Sequence, residues 1–222
     1  MSYSNKKLTI LNQSMFNGHE VVSGYNLCVE YLDSIYQLMD RALAEHPRTT
    51  VLRFDLRLPK CVSCPDYPYE HDTSVITRFI ESFKAQVRAD LAKKKREGKR
   101  VHHCTIRYVW AKEINEANQP HYHVALLLNK DTYYGFGDYR TLSENLAGKI
   151  YRAWASALMY GDTEEVMGLV HIPSDTPCYY LDRNSLDYQQ QCNNVFRRLS
   201  YLAKVETKQY GRCSKNFCCS RK

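Results

Sequence analysis

The chain has 222 residues, 44% of them hydrophobic, enough for one sizeable core with a small appended piece. Lys and Arg number 31 against 24 Asp and Glu, a net charge of +7 that suits a polyanionic partner without requiring one. No stretch approaches the roughly 18 apolar residues of a membrane span, and no apolar region follows Lys6-Lys7, so a cytoplasmic protein with no membrane contact is expected, its 9 Cys reduced rather than paired.

Residues 1–24 are polar and irregular, with a short strand near Glu20-Val21-Val22. Leu32, Ile35, Met39 and Leu43 recur at helical spacing and predict a helix over about 26–45. From Thr50 to Leu58 the period changes to two: Leu52, Phe54, Leu56 and Leu58 share one face, Arg53, Asp55 and Arg57 the other, until Pro59 ends the strand. The following loop holds Cys61-Val62-Ser63-Cys64, which reads as two free thiols, or as half of a zinc site completed by His71, His102, His103 or Cys104. Asp72 or Thr73 can cap a helix carrying Phe79, Ile80, Phe83, Val87 and Leu91. That helix runs into Lys93-Lys94-Lys95-Arg96, which can contact phosphates or form the solvated end of a helix whose dipole favours cations there.

Two strands, about 101–113 and 121–129, then form a hairpin. Ser143 can cap a helix carrying Leu146, Ile150, Trp154 and Leu158; a strand near Val166–Ile172 and a long helix over about 185–207 complete the pattern. Helices interrupting strands that include an adjacent antiparallel pair predict an α+β fold with a central antiparallel sheet. Its parts are an N-terminal polar segment and helix (1–47), a main domain (48–210) and a basic, Cys-containing tail (211–222).

The chemistry centres on His121-Tyr122-His123. Residues two apart on a strand point to one face, so the two imidazoles form half of a metal site, although a His-x-His motif arises readily by chance. With the turn symmetric about Ala117, Glu113 lies opposite His121 and joins both imidazoles on that face; a shifted register would offer Glu116 instead. Such an oxygen-and-nitrogen set suits Mg²⁺ or Mn²⁺. On the last helix, rotation by about 100° per residue turns Tyr201 away from the apolar stripe and towards Arg197, Lys204 and Lys208. A Tyr among cations can serve as a nucleophile towards a phosphodiester, or simply face solvent. The 18 Tyr also suit stacking on unpaired bases.

The ordered set Arg53-Phe54-Asp55-Leu56-Arg57-Leu58-Pro59, His121-Tyr122-His123 and Tyr201-x-x-Lys204 resembles the three motifs of HUH endonucleases, specifically rolling-circle replication initiators. Within these, Tyr108-Val-Trp-Ala-Lys-Glu113 and the run from His121 to Asn129 look most like filamentous-phage replication proteins and the YagK/YfjJ prophage family, over about residues 48–210. The resemblance implies a five-stranded, HUH endonuclease-like sheet and a divalent ion on His121, His123 and Glu113. It implies that Tyr201 nicks one DNA strand to leave a 5′-phosphotyrosine and a free 3′-OH, with Lys204 steadying the phosphate. The implied partners are single-stranded or supercoiled origin DNA, with host helicase and polymerase, in a bacterial host cell. Arg53, Arg57, Lys93, Lys94, Lys95, Arg197 and Lys208 are the expected DNA contacts. Some members carry a second Tyr on the nucleophile helix; here Arg197 and Arg198 precede Tyr201 by one turn, and Tyr210 is the nearest downstream candidate. A relaxase, a transposase or a non-catalytic nucleic-acid-binding protein are the competing expectations.

Overall fold

A computed structural model describes residues 8–59, 74–114, 120–161, 163–208 and 215–221. In chain order its elements are β1 (Met15–Phe16), β2 (His19–Glu20), α1 (Val29–Glu45), β3 (Arg48–Arg57), α2 (Ser74–Arg96), β4 (Arg107–Ile114) and β5 (Pro120–Asn129). There follow α3 (Leu146–Leu158), the short α4 (Thr163–Met167), β6 (Val170–His171), β7 (Cys178–Asp182), α5 (Tyr188–Ser200), a 3-10 turn (Tyr201–Ala203) and β8 (Phe217–Cys219). The fold is α+β, and every strand pairing is antiparallel. Six strands form the main sheet, in the order β6-β3-β5-β4-β8, with β7 on the same edge of β3 as β6. β7 pairs Arg48–Leu52 and β6 pairs Asp55–Leu56, so one edge of β3 is covered in two pieces.

Helices cover both faces of the sheet. Leu52, Phe54 and Leu56 of β3 join Tyr122, Val124, Leu126 and Leu128 of β5 beneath α2 and α3. On the opposite face Val51, Val109, Ala111, Ala125 and Leu127 lie beneath α1 and α5. β5 lies between two long neighbours and is buried on both sides, which is why its apolar run is unbroken where β3 alternates. Residues before 48 belong to this same core: Leu32, Ile35, Leu38 and Leu43 of α1 pack with Phe196 and Leu199 of α5. Among the described residues no helix is long and apolar enough to cross a membrane.

Several elements differ from the sequence reading. Residues 101–106 are not strand; β4 begins at Arg107. Asn145, not Ser143, caps α3 by accepting from Gly148 N at 2.9 Å, and the Ser143 carbonyl instead packs so close to Gly148 that a Cβ there would meet it at 1.8 Å. Residues 166–172 are divided between α4 and the two-residue β6. β7 and β8 are additional strands, too short to show a period. The last helix ends at Ser200 because the chain there is taken up by the N-terminal segment: Cys28 N donates to Ala203 O at 2.9 Å and Val205 N to Asn26 O at 3.0 Å. The Cys61/Cys64 pair, His71, Glu116, Ala117 and Tyr210 lie outside the described residues.

A buried polar tie holds α2 to α3. Asp90 accepts from Tyr133 OH at 2.7 Å, pairs with Lys94 at 2.9 Å, and lies 3.5 Å from the ammonium of Lys149, whose side chain is only 5% exposed. Burial pushes the Asp90 carboxyl up, but Tyr133 and the two lysines outweigh it and hold it below the usual carboxylate range. The stability this confers is therefore present above the unfolded pKa of about 3.9 and is lost as Asp90 protonates. Asp90→Asn, which leaves the Lys149 ammonium with the Glu144 carbonyl at 2.9 Å but no counter-charge, is expected to cost about 3 kcal/mol at pH 7 by chemical denaturation. The gap to wild type is expected to start narrowing below about pH 4 and to go on narrowing as pH falls through the depressed folded-state pKa of Asp90; a gap that does not narrow at all between about pH 5 and pH 2 would assign the loss to packing instead.

Candidate active site

Cross-strand register assembles the centre. Asp55 and Ala111 flank His123, and Arg57 and Glu113 flank His121, so all these side chains fall on the α1/α5 face at the end of the sheet where β5 begins. His121 Nε2 and His123 Nε2 lie 3.2 Å apart, and His123 Nε2 lies 3.2 Å from Glu113 Oε2. His123 Nδ1 lies 2.6 Å from both Asp55 Oδ1 and Arg53 Nη2, so that side of the ring is held by an ion pair while Nε2 faces Glu113. Arg53 fixes Asp55 at 2.5 Å, and His171 Nδ1 approaches the other Asp55 oxygen at 3.4 Å. Burial alone would raise the Asp55 carboxyl, but His123 and Arg53 hold it well below its usual range.

Donor atoms of Glu113, His121 and His123 all lie within 4.8 Å of one another. Neighbouring donors about 3 Å apart are what a shared ion with bonds of roughly 2.0 to 2.2 Å requires. Glu113 is 1% exposed, and its Oε1 has no hydrogen-bond partner; Lys208 Nζ stands 3.6 Å away, beyond hydrogen-bond range. A buried carboxylate oxygen that accepts no hydrogen bond, beside two imidazoles that approach each other through Nε2, fits a divalent cation with mixed oxygen and nitrogen ligands. A second group, Glu45, His46 and His103, has comparable spacing, but Glu45 and His46 are engaged elsewhere. Glu45 binds Thr105 Oγ1 and, at 2.9 Å, Arg107, while His46 Nε2 accepts from Thr105 N at 3.1 Å.

Tyr201 stands over this centre. It opens the 3-10 turn after α5, its ring 5.3 Å from that of His123. Lys204 Nζ lies 2.5 Å from Tyr201 OH and 2.7 Å from Glu113 Oε2, so one ammonium joins the phenol to the carboxylate. Burial would lower the Lys204 pKa, but Glu113 and Tyr201 raise it above the ordinary value, keeping the cation charged. Glu113 is held well below the usual carboxylate range, its burial outweighed by His123, Lys204 and Lys208. Burial pushes Lys208 down to about 8 against the pull of Glu113.

Two expected DNA contacts are interior residues. Lys208 has no exposed side-chain surface; its ammonium donates to Lys204 O and faces Glu113. Arg53 is buried against Asp55 and the Phe54 carbonyl. Both were read as outward-facing from helix and strand periodicity, which does not see that the helix stops at Ser200 or that β6 and α5 cover this part of β3. Arg57 is exposed beside His121, and Arg197 is exposed on α5. Lys93, Lys94 and Lys95 end α2, on the opposite face: Lys94 lies over Tyr133, beyond the far end of β5. Asp55 belongs to a polar strand face and to the motif Arg53–Pro59, but neither assigns it a role against His123. Arg198 was not singled out either, yet its Nε is buried with no hydrogen-bond partner, and its charge is felt at Arg53.

An α+β domain with a His–His–carboxylate cluster at one end of its sheet and a Tyr–Lys pair above it is the class that fold and site define. The chain belongs to the YagK/YfjJ C-terminal domain family, which matches over residues 11–220. It is 41% identical over 197 residues to the uncharacterized protein YagK of Escherichia coli strain K12, covering 87% of this chain and 93% of that protein. It is 34% identical over 197 residues to the uncharacterized protein YfjJ of the same strain, covering 86% and 93% respectively. No solved structure matches the chain.

Ion uptake by the cluster is measurable without any substrate. Mn²⁺ at about 100 times its dissociation constant is expected to stabilise the wild type by about 2.7 kcal/mol, and His123→Ala to remove that effect. A thermal shift that survives both His121→Ala and His123→Ala would place the ion elsewhere.

Proposed function

We propose that the chain is a metal-dependent, single-strand DNA endonuclease and strand-transferase in which Tyr201 is the nucleophile, initiating rolling-circle replication of a phage, prophage or plasmid in the cytoplasm of a bacterial host. The observation that carries this reading is the Lys204 ammonium joining the Tyr201 hydroxyl to the Glu113 carboxylate at 2.5 and 2.7 Å. On this reading the nucleophile and the cation-binding carboxylate share one fixed charge. The resemblance of the motifs to HUH endonucleases supplies the substrate class.

A divalent ion on Glu113, His121 and His123 would neutralise charge on the phosphate oxygens. Lys204 donates to the Tyr201 oxygen and remains to stabilise charge developing on the phosphate. The Tyr201 oxygen bonds to phosphorus while the bond to the 3′ oxygen breaks; the phenolic proton passes to solvent and the departing oxygen takes one up. The phosphotyrosine ester conserves the bond energy, so attack by a 3′-OH reverses the step without a nucleotide cofactor. Asp55, fixed by Arg53, holds the His123 ring in place. Arg57 and Arg197 are exposed to meet the strand, and Arg198 has guanidinium capacity free for an oxygen. The released 3′-OH is the primer through which host helicase and polymerase would enter.

Nicking of single-stranded and supercoiled origin DNA with Mn²⁺ or Mg²⁺ tests the proposal. Tyr201→Phe is expected to abolish the covalent protein–DNA adduct, and Lys204→Met to slow nicking by about 10²- to 10³-fold. An adduct formed by the Phe protein would make Tyr201 the wrong nucleophile, and cleavage of no candidate DNA by the wild type would overturn the enzyme reading.

A further inference from the structure

A short N-terminal loop is fastened around the nucleophile. Val22 N donates to Ser200 Oγ at 2.9 Å, just before Tyr201. On the other side Leu27 bridges Lys204, Asn26 N donates to Glu206 Oε1 at 2.5 Å, and Val205 N donates to Asn26 O at 3.0 Å. Both ends of the loop are thus held by residues flanking Tyr201. Gly24 makes the turn at a φ of +84°, a conformation L side chains rarely adopt, and Tyr25 follows at the tip. The Tyr25 ring meets Tyr201 edge-on at 5.3 Å yet is 44% exposed, among the few large aromatic side chains the described surface leaves this open. Lys204 Nζ lies 4.0 Å from the Tyr201 ring centre and 5.4 Å from that of Tyr25.

Burial does not account for an aromatic ring held out by a doubly anchored loop, because a large share of the ring stays in water. It does suit a flat apolar group that arrives with the substrate. A phosphate at Tyr201 would sit by the Lys204 charge, and the base next to it would fall within reach of a ring only 5.3 Å from the nucleophile's own. A ring for the base with a cation for the phosphate is the pairing by which single strands are held without reading their sequence.

Resting on the function proposed above, we infer that Tyr25 forms a nucleobase subsite, its ring stacking on a base of single-stranded DNA that flanks the scissile phosphate. The ring rather than the hydroxyl is what acts.

Affinity in a Tyr201→Phe background, read by fluorescence anisotropy with a labelled origin single strand, separates binding from cleavage. Tyr25→Ala is expected to weaken binding about 5- to 100-fold with an unchanged thermal midpoint, and Tyr25→Phe and Tyr25→Trp to stay within about twofold. An abasic scan across the nick site gives the sharper readout: at one flanking position, loss of the base is expected to weaken the Tyr25 protein and leave the Tyr25→Ala protein unaffected. Phe binding as weakly as Ala would overturn the inference in favour of the hydroxyl, and effects that add at every position would overturn it outright. Tight binding with the abasic coupling but no nicking by the wild type would fail the enzyme reading alone. Nicking by the wild type with Tyr25→Ala binding unchanged would fail the subsite alone, and no strand binding at all would overturn both.

Discussion

The register of β4 and β3 on β5 is the constraint from which the site follows. Side chains alternate between faces, so a slip of one residue in β4 would send Glu113 to the face beneath α2 and bring Lys112 beside the histidines. The apolar pattern prevents that slip. Val109 and Ala111 on one side of β4 and Trp110 on the other are each buried in a separate core, and exchanging them would expose both cores at once. The helices thereby fix the geometry of polar groups they scarcely touch.

The same packing accounts for the unusual density of charge. Glu113, Lys204, Lys208 and Arg53 are all buried, a costly arrangement unless each charge is matched. Glu113 answers two ammonium groups and Asp55 answers one guanidinium, so neither acid exists without its cations nor the cations without the acids. Ala111 and Ala125 help make this possible: small residues on the α1/α5 face let the helices close over the sheet, shutting out water near the cluster while its mouth stays open at His121 and Tyr25. Each contact inside such a low-dielectric site is stronger than it would be on the surface.

Legibility in the sequence followed the range of the interactions. Glu113 facing His121 could be read because both strands belong to one hairpin, so local alternation and a near-symmetric turn determine the pairing. The faces of β3 could be read for the same reason. Asp55 against His123 could not, since it joins residues 68 apart in the chain and depends on which strand lies beside β5. Lys208 was misplaced because helical periodicity was carried past Ser200, where a segment some 180 residues earlier takes over the backbone hydrogen bonds. Tyr25 gave no signal at all: one Tyr among 18 in a polar stretch acquires meaning only when the loop carrying it is folded against the turn.

That early termination of α5 bears directly on the chemistry. Continued as an α-helix, residues 201–204 would make backbone bonds within the helix, and the N-terminal segment would lose its partners at Ala203 and Val205. In the 3-10 turn Tyr201 and Lys204, three apart and so on one face, meet through their terminal atoms at 2.5 Å, and the extended backbone of Lys204 carries the chain out of the helix towards Lys208, which packs beneath Glu113. The end of the helix at this point thus brings Lys208 back under the carboxylate that Lys204 shares with Tyr201. The N-terminal loop that ends the helix also presents Tyr25, so nucleophile placement and the mouth of the site are set by the same few hydrogen bonds.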